Sequence, residues 1–313
     1  MDDKLYRLLE TPLQLKSVEE LERRYDNSIH EFNEEDDNYI GVATANIRQF
    51  NDHGKELKAA HVSDSYVIED RRREGIFSNL YTKLEEELQS QNVELFYSLS
   101  PTPYELLNLV DHQDYEILGE IGTYAKVMDS GKVVSGFMGK LAGLITKARN
   151  SGEKSVSYSG IDVFEMESYD GVDELYNSLK SELGFMSVRS KNWLDNRTKD
   201  RGYYNIGAKK DDKLSGYIIY KYIERADTRY FIVMDILFDD RKTLEAMYDE
   251  LMARAKEKNI SLIGIWANSR LNDFIRDKKF MYARSTFSLI AKGEGLTKDM
   301  SKWYIEPIEG EVY

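Results

Sequence analysis

The run VSDSYVIEDRRREGIFSNLYTKLEEEL, Val62 to Leu88, carries three signals in succession. VSDSYVIED (62–70) reads as a strand flecked with polar residues, RRREGIF (71–77) as an Arg-Gly turn, and the remainder as an amphipathic helix. In that helix Phe77, Leu80, Tyr81, Leu84 and Leu88 share one face. A helix N-terminus presents unpaired N–H groups and the positive end of the macrodipole, so strand, turn and helix in this order make a seat for a pyrophosphate. Arg72 suits such an anion because its guanidinium can fork onto phosphate oxygens. Gly75, three residues on and lacking a Cβ, lets the backbone approach the ligand. Glu69, Asp70 and Glu74 would repel a phosphate unless they face away, and the competing reading is a surface ion-pair cluster of Arg71, Arg72 and Arg73 with these acids.

The stretch Arg72-Arg73-Glu74-Gly75-Ile76-Phe77 resembles the acyl-CoA-binding motif of the GNAT (GCN5-related) N-acyltransferases. That motif has Arg or Gln, two residues, Gly, one residue, then Gly or Ala, between the fourth strand and the following helix. Phe77 departs from it. A Gly-Ile-Phe version is similar to the variant in a subgroup of larger GNAT proteins.

The chain also repeats itself. LYTKLEEELQSQNVEL (80–95) aligns with MYDELMARAKEKNISL (247–262), with Tyr81 on Tyr248, Leu84 on Leu251, Asn92 on Asn259 and Leu95 on Leu262 at one offset of 167. Leu244, Met247, Tyr248, Leu251 and Ala255 repeat the apolar stripe, which reads as core. Strand-like runs precede each helix, at 38–47 and 58–68, then at 215–223 and 230–238. LFYSLS and LIGIW follow the helices. Downstream, Asp114-Tyr115 and Lys279-Phe280 stand where GNAT proteins usually show Gly-Phe. The expected fold is α/β, two tandem GNAT-like domains, each a mixed central sheet flanked by helices. The divisions are 1–126 for an acyl-CoA-binding domain, 127–155 for a connecting helix or linker, and 156–313 for a degenerate second domain. In the linker, Val134, Phe137, Met138, Leu141, Leu144 and Ile145 share a helical face beside clustered lysines, which reads as a docked helix. At the common offset Arg72 maps to Asp239 and Gly75 to Lys242, so the second lobe carries an acid where a phosphate needs a cation.

The rest of the composition excludes more than it assigns. Cysteine is absent, so there are no disulfides, thiolate nucleophiles or Cys-based metal sites. The four histidines lack the i, i+4 spacing of a helical metal pair. A net charge of −13 disfavours sequence-independent nucleic-acid binding. No apolar run is long enough to span a bilayer and the first residues are acidic rather than basic, so the expectation is a cytoplasmic protein without membrane insertion. Room is left for a homodimer.

Acyl transfer from a thioester to an amine needs a neutral amine, a polarised carbonyl and a proton for the leaving thiolate. The resemblance implies that backbone N–H groups of the fourth strand, here Tyr66, Val67 and Ile68, lie near the acyl carbonyl. It also implies cofactor contacts from Arg72, Arg73, Glu74, Gly75, Ile76 and Phe77. Asp64 lies where the family's general bases are found; it can equally be a strand-end Asp capping a loop or pairing with an Arg. His61 is the second choice of base. Where many GNAT proteins carry a Tyr acid this chain has Val110, which leaves Tyr104 and Tyr97 as substitutes by proximity. Asp239, Asp240, Glu306, Glu309 and Glu311 are acids able to attract a cationic amine. The resemblance implies an N-acetyltransferase using acetyl-CoA on a small-molecule primary amine, an amino sugar by analogy. The alternatives are a non-catalytic acyl-CoA-binding or scaffold protein and a tRNA-dependent aminoacyl transferase with tandem GNAT lobes.

Overall fold

The computed structural model describes residues 3–13, 15, 17–25, 27–100, 109–110, 113–128, 158–225 and 228–310. The amphipathic run within 127–155 falls almost wholly outside them, as does Tyr104. In chain order the helices are α1 (Asp3–Leu13), α2 (Val18–Arg24), α3 (Ile76–Ser90), α4 (Val172–Leu179), α5 (Lys191–Thr198), α6 (Arg241–Glu257), α7 (Asn272–Asp277) and α8 (Pro307–Gly310). The strands are β1 (Ser28–Glu35), β2 (Asn38–Asp52), β3 (Lys55–Val67), β4 (Leu95–Ser100), β5 (Glu116–Val127) and β6 (Asp162–Glu165). They continue with β7 (Met186–Ser187), β8 (Tyr203–Lys210), β9 (Lys213–Arg225), β10 (Thr228–Phe238), β11 (Leu262–Trp266) and β12 (Met281–Gly293).

Two compact units emerge. The first lobe is Met1–Glu120 with Phe287–Met300; the second is Ile121–Thr286 with Ser301–Tyr313. Each has a mixed α/β sheet. In the first lobe β1, β2 and β3 form an antiparallel meander, β3 runs parallel to β4 through α3, and β4 pairs antiparallel with residues 288–293 of β12. In the second lobe β6, β8, β9 and β10 are successively antiparallel, β10 runs parallel to β11 through α6, and β11 pairs antiparallel with residues 123–127 of β5. The strand following β4 in sequence thus completes the second lobe, and the one following β11 completes the first. The contiguous division at 126 and 155 contains no such exchange.

Local chemistry explains the shared unit. Asp36-Asp37, His53-Gly54 and Asp211-Asp212 each hold two successive positive φ values, the backbone of the two-residue hairpin turns that pin the registers of β1/β2, β2/β3 and β8/β9. The helical stripes face the cores: Leu80, Tyr81, Leu84 and Leu88 in one lobe, Leu244, Met247, Tyr248, Leu251 and Ala255 in the other. Asn92 and Asn259 adopt φ +58° and +52°. Each ends its helix in the same way: Val93 N–H reaches the Leu88 carbonyl and Asn92 N–H that of Gln89, while Ile260 and Asn259 reach Ala255 and Lys256. Asp114 and Lys279, where Gly is usual in the family, take the same left-handed conformation at φ +57° and +56°.

Candidate active site

The two parallel strands of the first lobe pair only from Ala59↔Leu95 to His61↔Tyr97, although β3 continues to Val67 and β4 to Ser100. Beyond that rung they part. Just past it the β2/β3 register shifts, two residues of β3 opposing one of β2, and Asp64 sits in this bulge at φ +54°. Such a bulge re-aims its side chain. Asp64 is half-buried, and its negative charge acts on the His30 ring of β1. His30 faces Thr44 across the ladder, its Nδ1 3.1 Å from Thr44 Oγ1. Burial pushes the His30 imidazole down to about 4, with Asp64 pulling in the opposite direction.

His61 is buried in the sheet with its ring stacked on Tyr97 at 4.9 Å between centroids. Val110, at the family's Tyr position, packs partly buried against the lobe's core. Of the three backbone candidates, Ile68 N–H is already bonded to the Ile40 carbonyl at 3.0 Å. Alternate backbone groups of a ladder point to opposite sides, so the Val67 groups face away from β2 toward the unpaired side of the strand. There the Val67 carbonyl accepts a hydrogen bond from Arg72 Nε at 3.0 Å.

That bond holds Arg72 in place. Its guanidinium also lies 5.5 Å from the Tyr66 ring and is half-exposed, with Glu69 no nearer than 3.7 Å. Arg71 takes the nearby acids, pairing with Glu35 and, at 2.9 Å, with Glu74. The ion-pair cluster read from the sequence therefore exists for Arg71 with Glu35 and Glu74 and, more loosely, for Arg72 with Glu69. Gly75 is the N-cap of α3 at φ +79°, and no side chain caps the helix there. Arg73, at φ +70°, and Gly75 both take positive φ, two residues apart, at the entry to α3. Phe77 stacks on Tyr81 at 4.4 Å, one turn further along, so the bulky ring is directed along the helix face.

The second lobe shows the contrast. Its parallel rungs run from Tyr230↔Leu262 to Ile232↔Gly264, which places β3 and β10 at an offset of 171, against 167 for the helices. The loop between strand and helix has contracted by four residues. Asp239 therefore does not replace Arg72 position for position; the arginine's segment is missing. What remains is sealed: Asp240 caps α6 by accepting from Thr243 N–H at 2.9 Å, and Asp239 accepts from the Thr243 hydroxyl. Lys210 pairs with both acids at 2.9 and 2.8 Å. Partial burial opposes the charge of Asp240, but Lys210 and the Thr243 amide hold its carboxyl below the usual range.

Deeper in the second lobe lies a network that the sequence did not announce. Arg189, fully buried, donates from Nε and Nη2 to Asp235 at 2.9–3.1 Å, from Nη2 to Glu309 at 2.8 Å and from Nη1 to the Ser187 carbonyl. Tyr217 adds a hydrogen bond to Asp235 at 2.8 Å, and the Tyr304 hydroxyl bonds the Ile236 carbonyl. Glu306 is buried against Asn268, and burial, reinforced by Asp235, pushes its carboxyl well above the usual range. The expectation that Glu306 and Glu309 offer an acidic lure for a cationic amine is corrected here, because both are enclosed. Asp239 and Asp240 share the single charge of Lys210, and Glu311 lies outside the described residues.

This geometry agrees with what the chain is similar to. Residues 6–108 match the family model described as the acetyltransferase (GNAT) domain. The matched segment spans about a third of the chain and takes in the strand, turn and helix of the first lobe. Among solved structures, a conserved protein of unknown function from Enterococcus faecalis V583, described as a probable N-acyltransferase, superposes with a TM-score of 0.68 at 16% identity, covering 96% of this chain and 71% of that one. A GCN5-related N-acetyltransferase from Anabaena variabilis gives 0.68 at 14% identity over 94% and 71%. An N-myristoyltransferase from Saccharomyces cerevisiae with bound myristoyl-CoA gives 0.55 at 11% identity over 82% and 64%. Comparison with curated protein sequences gives no significant match. Among the described residues no helix is long and apolar enough to cross a membrane, and no group of His, Asp and Glu could hold a metal ion.

Proposed function

We propose that this GNAT chain is an N-acyltransferase that binds acetyl-CoA through its first lobe and transfers the acetyl group to a small-molecule primary amine. One observation carries the reading: the two lobes share a strand-loop-helix unit, and only the first keeps an uncapped helix start behind a positive-φ glycine with an arginine fork held beside it. The yeast relative's bound myristoyl-CoA supports a CoA thioester as donor. Arg72, Arg73, Gly75, Ile76 and Phe77 would line the phosphate seat, with Val67 N–H as the backbone donor toward the acyl carbonyl. Asp64 is the base, taking a proton from the acceptor ammonium before attack. The attacking amine forms the C–N bond, the C–S bond breaks, and the CoA thiolate is protonated on leaving. An amino sugar is the acceptor favoured by the family resemblance.

The test is a titration of the full chain with acetyl-CoA by calorimetry, coupled to an amine screen read by release of free CoA thiol. One cofactor should bind per chain, because Asp239 and Asp240 would meet a second pyrophosphate with like charge. Two CoA molecules per chain in native mass spectrometry would contradict the contrast between the lobes.

A further inference from the structure

Arg48 of β2 is only 5% exposed, and its single hydrogen bond runs from Nη1 to the Tyr97 hydroxyl at 3.0 Å. Its Nε has no partner, and no ion pair is found for it among the described residues. A buried guanidinium is ordinarily paired, because removal from water penalises the charge and a carboxylate must compensate. Arg189 in the second lobe shows the ordinary solution, two carboxylates on one buried arginine. Among the described residues Arg48 has a phenol and nothing anionic.

Its position bears on the reaction. Along β2, Ala43 and Ala45 pack into the core beneath α3, so Thr44, Asn46 and Arg48 occupy the other face. On that face lie His61 and Tyr97, the last rung before the strands part, and Ser63, which accepts from Asn46 Nδ2 at 3.3 Å. Arg48 stands opposite Ala59, five residues of strand from Asp64, or about 17 Å, and its guanidinium reaches the hydroxyl of Tyr97, whose own rung is three residues from Asp64. Side chains reaching inward from both ends shorten the distance that an acceptor must bridge.

We propose that Arg48 receives the carboxylate of the acceptor, so that the substrate class is an amine carrying a carboxylate several bonds away, as in an ω-amino acid or an aminouronic acid. This rests on the acyl-transfer reading. The planar fork of arginine suits a carboxylate through two parallel hydrogen bonds, and the buried Nε is the donor left to make one of them.

The experiment compares matched probes that differ only in charge: 6-aminohexanoate against 6-aminohexanamide, and glucosaminuronic acid against glucosamine. Each is assayed for thiol release from acetyl-CoA and, separately, for binding by calorimetry. At least one acid should be preferred over its neutral partner about ten- to hundredfold, chiefly through KM. Whichever pair shows this identifies the source of the carboxylate. Arg48→Met should erase the preference with acetyl-CoA affinity unchanged, and Arg48→Lys, which keeps the charge without the fork, should restore part of it. Unaltered acetyl-CoA affinity certifies that each variant is folded. Equal use and equal binding of acid and amide by the wild type overturn the proposal, as does a preference that survives Arg48→Met. A wild type that binds no acetyl-CoA instead sinks the cofactor reading, while the calorimetric comparison still decides the carboxylate site.

Discussion

Asp64 and Asp235 stand at the same place in their lobes, each three residues beyond the last rung that joins the parallel strands, each at a register shift. Their surroundings differ. Asp235 is buried and held by Arg189 and Tyr217, whereas Asp64 is half-buried and looks toward a neutral imidazole. One acid is locked into a buried network and the other lies half-exposed at the bulge beside His30. Asp64→Asn keeps the shape and removes the base, so kcat should fall about a hundred- to ten-thousandfold with acetyl-CoA affinity nearly unchanged. Wild-type turnover in Asp64→Asn, with loss in His61→Ala, would move the role to His61.

In the proposed phosphate seat Arg72 would supply a charge-assisted contact. Arg72→Ala should weaken acetyl-CoA binding by about 1.5–3 kcal/mol, roughly ten- to hundredfold. A Cβ at Gly75 would meet no protein atom within 4 Å, so the effect of Gly75→Val is one of backbone strain at φ +79° and of obstruction of the ligand's approach. Identical calorimetric affinities for wild type and both variants would refute the seat.

Removing Arg189 leaves Asp235 and Glu309 buried together without their cation. Arg189→Met should therefore destabilise the second lobe by about 3–5 kcal/mol, seen as an early transition in urea unfolding. Acetyl-CoA affinity, measured well below that transition, should be retained. An unchanged urea midpoint would contradict the buried network.

His30 makes the fold sensitive to acid. Its folded-state pKa of about 4 lies below the ordinary 6.5, so the folded protein favours the neutral ring. That stability is fully present above pH 6.5 and is lost as pH falls toward and through 4, at no more than about 1.4 kcal/mol per pH unit. Between pH 6.5 and 4.5 the urea midpoint of His30→Gln should fall less steeply than that of the wild type. Parallel profiles would show that His30 titrates normally.

Much of the fold was legible because local chemistry repeats with it. Tyr81 and Tyr248, Leu84 and Leu251 fall on one face by helical period alone, and Asn92 and Asn259 mark helix ends because Asn tolerates the left-handed turn there. The exchange of β5 and β12 left no such trace: nothing in residues 288–293 says that their partner is β4 rather than the nearer β11. A single sequence offset likewise concealed the contracted loop, because a helix and a strand can each stay in register while the segment between them shortens. Arg72 and Gly75 were readable from motif spacing. Arg48 was not, since an arginine in a strand reads as surface until its burial is known, and Arg189 was missed for the same reason.

The exchanged strand also sets the order in which the molecule can be made. The first lobe's sheet has β12 as the antiparallel partner of β4, and Lys292 of β12 pairs with Glu85 of α3 at 2.7 Å. On a ribosome adding about 5–20 residues per second, β4 would wait some 10–40 s for that partner, with one backbone edge open and most of the second lobe emerging in between. The N-terminal lobe is thus the first to be begun, and its sheet closes only when nearly the whole chain has been made.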